Sequence, residues 1–280
     1  MPAAEEPSVR HASFRFYAEL NDFLPPRRRG VTFLHEFRGG PSVKDTIEAL
    51  GVPHTEVDLV LADGESVDFS WILRDGARVS VYPVFESIDI GPLARVRAAP
   101  LRELRFILDG HLGRLARYLR MLGFDAGWSA AAGDEEIALT AAAEHRIVLT
   151  RDAGLLKRRI VTHGLHVRES DPRRQLAEVV RRVDLLGAIA PFRRCLCCNA
   201  LLEPVREEDV AAELPPRVRV EHHTFRRCPS CRRVYWDGSH VRRMEQLIAE
   251  LSAELQDVAG GTAQSGHPSR RHPASQNTHS

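Results

Sequence analysis

The chain has 280 residues, 43% hydrophobic and 28% charged, with a net charge of +1. At roughly 100–200 residues per domain, that length allows two or three domains, each able to bury a core. No apolar run approaches the ~18–20 residues that cross a bilayer, and the polar, acidic start MPAAEEPSVRH lacks the form of a secretory signal, so no membrane partner and a cytoplasmic location are expected.

The charge is unevenly spread. Residues 1–100 hold 11 Lys/Arg and 15 Asp/Glu, the remainder 28 and 23, and the segment 151–194 holds 11 and 5. A basic segment of this kind suits a polyanion, because phosphate contacts dominate nucleic-acid affinity; a solvated helix face is the plain alternative.

In chain order, residues 13–20 (SFRFYAEL) alternate as a strand does, and VTFLHEF (31–37) reads as a second strand pairing back on it. Ser42 is placed to cap a helix from Val43 to Leu50, which Gly51 ends. Two short strands follow, around 58–61 and 77–83, making a ββαββ module of the α+β kind. Residues 86–103 read as a linker. LRFIL (104–108) is then a continuous apolar strand ending in Asp109. Leu112, Leu115, Ala116, Leu119 and Leu122 follow helical spacing up to Gly123, with Arg114, Arg117 and Arg120 expected on the opposite face. FDAGW (124–128) is a strand, Asp134–Glu144 a helix, IVLT (147–150) a strand, and LHVRE (165–169) another. A short helix is expected after Asp152, and a helix over Arg174–Leu186. Strands alternating with helices in this way imply βαβ units around a parallel sheet, an α/β fold. The cysteine region and a closing helix over about 239–256 follow, and the polar tail after Gly260 is expected to be disordered. The expected domains are thus 10–90, 104–190, 191–256 and a tail over 257–280.

All five cysteines lie between 195 and 231. Cys195/Cys198 and Cys228/Cys231 are two CxxC pairs, which place four thiolates around a tetrahedral zinc ion; Cys197 is left over. Four thiolates leave no open coordination position, so the expected zinc is structural. The alternatives are a redox CxxC or free buried thiols.

The second constellation is acidic. Asp109 and Asp152 each follow an apolar strand, and Asp134 opens the helix after the second strand of the α/β unit. In open α/β sheets, sites form at the carboxyl ends of the strands. Three carboxylates there suit Mg²⁺ or Mn²⁺, which activates water and stabilises a phosphoryl transition state. Arg114, Arg117, Arg151 and Lys157 are the expected substrate-binding cations. Taken singly, Asp134 and Asp152 also suit helix caps, and Asp109 suits a turn. The sequence has no G-x-S-x-G elbow, P-loop or G-x-G-x-x-G motif.

FILDGHLGRLARYLRMLGFDAGW, GDEEIALTAAAEHRIVLTRDAGLLKRR and the CLCC…CPSC…VYWDGSH segment together resemble the Mut7-C RNase family, a PIN-like nuclease domain with a zinc ribbon. The resemblance covers about 104–245. It implies a metal-dependent ribonuclease with Asp109, Asp134 and Asp152 as the acidic metal site, RNA as the partner, and Asp171 as the nearest candidate for a fourth acidic position. PSVKDTIEALGVP and LRDGARVSVYPV resemble the ubiquitin-like β-grasp module fused to that family, which is similar to sulfur carriers. Sulfur carriers need a C-terminal Gly-Gly; none closes this module directly after Pro83, where the chain runs on, and Gly39-Gly40 is internal, so an adaptor or RNA-docking role is expected instead. The competing readings are a non-catalytic RNA-binding protein and a scaffold that recruits a protein partner through residues 13–85.

Overall fold

The structure is a computed structural model that describes residues 8–83, 96, 104–221, 223–238, 245–251 and 253. Most of the expected linker, the tail after Gly260 and much of the expected closing helix lie outside the described residues. The chain parts into two compact units, Met1–Trp236 and Asp237–Ser280. In the second, Leu247 and Leu251 are buried within a helical segment over 245–251.

The first sheet has the order β2-β1-β5-β3-β4. Its strands are β1 (Arg10–Phe16), β2 (Phe33–Phe37), β3 (Val57–Ala62), β4 (Glu65–Val67) and β5 (Arg78–Pro83). β1 pairs antiparallel with β2 and parallel with β5, and β3 pairs antiparallel with both β4 and β5, which is the β-grasp arrangement. Helix α1 (Val43–Ala49) starts at Ser42, whose side chain accepts the Asp45 amide at 3.0 Å. Ala12, Phe14 and Phe16 alternate inward on β1 and pack with Val43 and Ile47 of α1.

Two strand expectations need correction here. Residues 17–20 leave the sheet, because Ala18 takes a positive φ of 45° and the chain turns into a 3-10 segment, Ala18–Phe23, that buries Leu20. Strand β4 was not foreseen, since three residues of half-exposed ESV carry no periodic signal.

The second sheet is four-stranded and parallel throughout, ordered β7-β6-β8-β9. Its strands are β6 (Arg105–Leu108), β7 (Asp125–Trp128), β8 (Ile147–Thr150) and β9 (Gly164–His166). Helices α2 (Gly113–Met121), α3 (Asp134–Glu144), α4 (Ala153–Leu156) and α5 (Pro172–Arg182) connect and follow them. Ile107 and Val148 pack with α3 and α4, while α2 packs against β7 and α5. From β6 the chain moves to β7 on one side, and from β8 to β9 on the other. The order therefore reverses between β6 and β8, where such sheets open a crevice at their carboxyl ends.

Helix α5 runs earlier than expected. Pro172 occupies its first turn, and Asp171 caps it by accepting the Arg173 and Arg174 amides at 3.0 and 3.1 Å. Arg120 departs further from expectation. It is buried on the apolar side of α2, with Nε donating to Ala126 O at 2.8 Å and Nη1 to Cys197 O at 2.8 Å. An i, i+3 row drifts around a 3.6-residue helix, so the third arginine turns inward where Arg114 and Arg117 stay exposed.

The third sheet is antiparallel, ordered β10-β11-β12, from β10 (Glu203–Val205), β11 (Phe225–Arg227) and β12 (Val234–Trp236). Short helices α6 (Glu207–Val210) and α7 (Pro216–Glu221) fill the long gap between the cysteine pairs. Val210, Leu214 and Phe225 give that insertion a small core.

Candidate functional site

Each cysteine pair sits on the same backbone turn. The amide of Cys195 donates to Ala200 O at 2.8 Å, and that of Asn199 returns to Cys195 O at 3.0 Å. Likewise the amide of Cys228 donates to Arg233 O at 2.9 Å, and that of Arg232 to Cys228 O at 3.0 Å. Asn199 and Arg232, at equivalent places, both take left-handed φ values of 68° and 65°. Two copies of one knuckle thus aim four sulfurs at a single point. The four Sγ atoms lie within 4.8 Å of one another, and among the described residues no other group of three or more His, Cys, Asp or Glu side chains meets that condition. Cys197 stays outside the group and is exposed.

The thiols themselves call for a cation. The Arg233 amide favours ionisation of Cys231, but burial and its three cysteine neighbours outweigh it and push the thiol up to about 12. Burial opposes ionisation of Cys198 too, yet the Ala200 amide and the neighbouring thiols draw it down to about 6. Four thiolates cannot share so small a space unless a metal balances them, and the all-sulfur donor set fits zinc.

The ribbon is tied to the parallel sheet by polar groups. Arg120 holds Cys197 O, and Asp125 of β7 accepts Asn199 Nδ2 at 2.7 Å, Arg146 Nη1 at 2.7 Å and Arg194 Nη2 at 3.2 Å. Burial alone would raise the Asp125 carboxyl, but bonds from Arg146 and Asn199 hold it below its usual value.

At the other end of the sheet, Asp109 follows β6 and Asp152 follows β8, the two strands that flank the switch point. Asp109 is 8% exposed. Its Oδ1 accepts the His111 amide at 2.9 Å, and its Oδ2 accepts Thr150 Oγ1 at 2.5 Å and the Arg151 amide at 3.2 Å. Thr150 Oγ1 in turn accepts the Asp152 amide at 2.9 Å, so one buried hydroxyl couples the two acidic strand ends. Asp152 Oδ1 accepts the Gly154 amide at 2.7 Å, capping α4. The end of β7 covers the Asp109 turn: Trp128 Nε1 donates to Gly110 O at 3.2 Å, and a Cβ on Gly113 would come within 2.5 Å of the Trp128 ring.

The cap and turn alternatives therefore hold for Asp109 and Asp152 alongside their shared link. Asp134 does not cap α3, because Gly133 takes that position and Asp134 is the first helical residue, exposed beside Glu135 and Glu136. Asp109, Asp134 and Asp152 do not gather into a set that could share one ion as closely as the thiols do. Asp171 spends Oδ1 on its helix cap. Arg114, Arg117 and Arg151 are exposed and Lys157 half-buried. Part of the basic segment is used internally: Arg168, Arg182 and Arg194 form ion pairs with Glu56, Glu178 and Asp125.

A β-grasp module, a parallel sheet with aspartates at its switch point and a four-cysteine ribbon make this an α/β protein built on three sheets. Residues 104–248 match the family described as Mut7-C RNAse domain, and residues 9–89 match Mut7-C ubiquitin. The first match spans more than half of the chain, which therefore belongs to the Mut7-C RNase family. No curated protein and no solved structure matches the chain significantly. Among the described residues, no helix is long and apolar enough to cross a membrane.

Proposed function

We propose that the chain is a ribonuclease that hydrolyses RNA phosphodiester bonds with the aid of Mg²⁺ or Mn²⁺, using Asp109, Asp152 and Asp134 at the carboxyl edge of the parallel sheet. The observation that carries this reading is the Asp109–Thr150–Asp152 link at the β6/β8 switch point. Magnesium keeps several waters and takes one or two carboxylates plus substrate phosphates, so an open oxygen-donor edge fits it without a closed cage. A divalent ion held there supplies an activated water and neutralises charge at the phosphodiester. Thr150 and the Arg151 amide fix the Asp109 carboxylate in one orientation. Exposed Arg114, Arg117 and Arg151, with Lys157, hold the substrate's phosphates. Zinc at Cys195, Cys198, Cys228 and Cys231 is structural and carries the ribbon along the RNA track.

Purified Asp109→Asn protein is expected to lose Mn²⁺-dependent cleavage of single-stranded RNA while keeping its fold by circular dichroism. Undiminished cleavage by that variant rejects the assignment. RNA binding by the wild type without cleavage at any metal concentration favours the non-catalytic reading, for which the ribbon and exposed arginines suffice.

A further inference from the structure

The N-terminal module is joined to the parallel sheet by more than the chain between them. Its 3-10 turn, His54–Glu56, lies against β9, and both regions fall within one compact unit. Glu56 is fully buried in this joint. Its Oε1 accepts the His166 amide at 2.5 Å, and its Oε2 receives Arg182 Nη2 at 2.7 Å and Arg168 Nη2 at 3.1 Å. Glu178, also buried, accepts the Arg168 and Glu169 amides at 3.0 and 3.1 Å and lies 3.6 Å from Arg182. Arg168 extends back to Asp22 of the first module at 3.3 Å and stacks over Phe23 at 5.5 Å. His54 Nε2 lies 3.0 Å from Val161 O. Buried charges in such a joint are tolerated only while each keeps its partner, so the module and the sheet hold one another in register.

His166 belongs to both sides of the joint. Its amide is held by Glu56, and its ring meets Phe23 edge-on at 5.1 Å. At its far end, Nε2 donates to Arg151 O at 3.0 Å. A carbonyl only accepts, so Nε2 carries the proton; Nδ1 is buried without a partner, which matches a neutral ring. Arg151 is thus gripped at its carbonyl by His166 and at its amide by Asp109. Asp152 follows directly, with its amide on Thr150. A continuous line of contacts runs from Glu56 in the β-grasp module to the Asp109 carboxylate.

We infer that the ubiquitin-like module is a positioning part of the acidic edge: Glu56 and Phe23 set His166, and His166 sets the Arg151 backbone on which Asp109 and Asp152 are aligned. The inference rests on the reading of that edge as the reactive site. It departs from a detachable adaptor, whose removal would leave the edge untouched.

The test uses the full chain with Glu56→Gln, His166→Phe and His166→Gln. Glu56→Gln keeps the side chain's shape and one acceptor, so it loosens the joint in a folded protein. The first readout is hydrogen exchange at the Arg151 and Asp152 amides, with Asn199 in the ribbon as reference. Glu56→Gln and His166→Phe are expected to speed exchange at both amides about tenfold or more while Asn199 stays as in wild type. The second readout is Mn²⁺-dependent RNA cleavage, in which kcat falls about 10–100-fold with KM nearly unchanged. His166→Gln, whose amide nitrogen reaches the place of Nε2, is expected to retain both properties. Wild-type exchange at Arg151 and Asp152 in Glu56→Gln and His166→Phe overturns the inference, as does an equal rise at Asn199. If exchange responds but the wild type does not cleave RNA, the positioning role stands and the ribonuclease reading falls. If the wild type cleaves and exchange does not respond, the positioning role falls alone.

Discussion

The ribbon gathers four sulfurs within 4.8 Å of one another, whereas the acidic edge spreads its aspartates over the ends of β6 and β8 and the start of α3. The difference lies in what sets each geometry. In the ribbon, two short turns place each cysteine pair by local hydrogen bonds, and one antiparallel sheet brings the turns together. At the edge, Asp109 and Asp152 are 43 positions apart and meet only because β6 and β8 are neighbours in a parallel sheet. The four-sulfur cluster is set by short turns and one small sheet, while the pairing of the two strand-end aspartates is a product of sheet topology.

Four perturbations separate the two regions, from the largest expected effect to the smallest. Cys228→Ser removes one of four thiolates and is expected to lower bound zinc well below one per chain by elemental analysis. Structural zinc is worth about 10 kcal/mol or more to small metal-dependent folds, so the ribbon's amides should lose exchange protection while those of β6 and β8 keep theirs. Full zinc content in that variant breaks the four-thiolate assignment. Thr150→Val keeps the shape of a buried strand residue but severs the Asp109–Asp152 link. It is expected to reduce metal affinity or cleavage about 10–100-fold, read by Mn²⁺ titration of activity, with zinc content unchanged.

Arg120→Leu acts on the connection between the regions. It strands the carbonyls of Ala126 and Cys197, an expected cost of about 1–3 kcal/mol in urea unfolding, against a negligible change for exposed Arg117→Leu. Equal effects at the two positions would place Arg120 on the solvated face after all. The smallest effect concerns pH. Burial holds His166 below the ordinary histidine value of 6.5, even with Glu56 and the Arg151 carbonyl pulling the other way. The unfolded chain then binds more protons than the native one as pH falls below that value. The contribution of His166 to stability is therefore present above it and lost on acidification. His166→Gln is expected to flatten the loss of stability between about pH 7 and about pH 5.5, measured by thermal melts; an unchanged slope assigns that loss elsewhere.

Much of this was legible in the residues. The CxxC pairs announce themselves by spacing, and the strand ends at Asp109 and Asp152 by the switch from apolar runs to Asp. Helix α3 and strand β8 have the bounds read from the sequence, the one from its acidic start and the other from its apolar run. Less visible was Thr150, which differs from its strand neighbours only in bearing a hydroxyl, whose partner lies on another strand. Arg120 was concealed because a buried arginine at an i+3 repeat looks like its solvated neighbours. The basic run over 151–194 overstated the surface open to RNA, since Arg168, Arg182 and Arg194 have carboxylate partners in distant segments.

The sequence by itself determined most of what local physics controls: the main strands and helices, caps such as Ser42, and which cysteines act in pairs. Tertiary structure alone decided which polar groups are buried against one another. That choice depends on contacts more than a hundred residues apart, such as Glu56 with His166 and Arg182, for which one-dimensional periodicity carries no signal. In low dielectric those long-range pairs are costly to break, and they join the ubiquitin-like module to the edge where the aspartates meet.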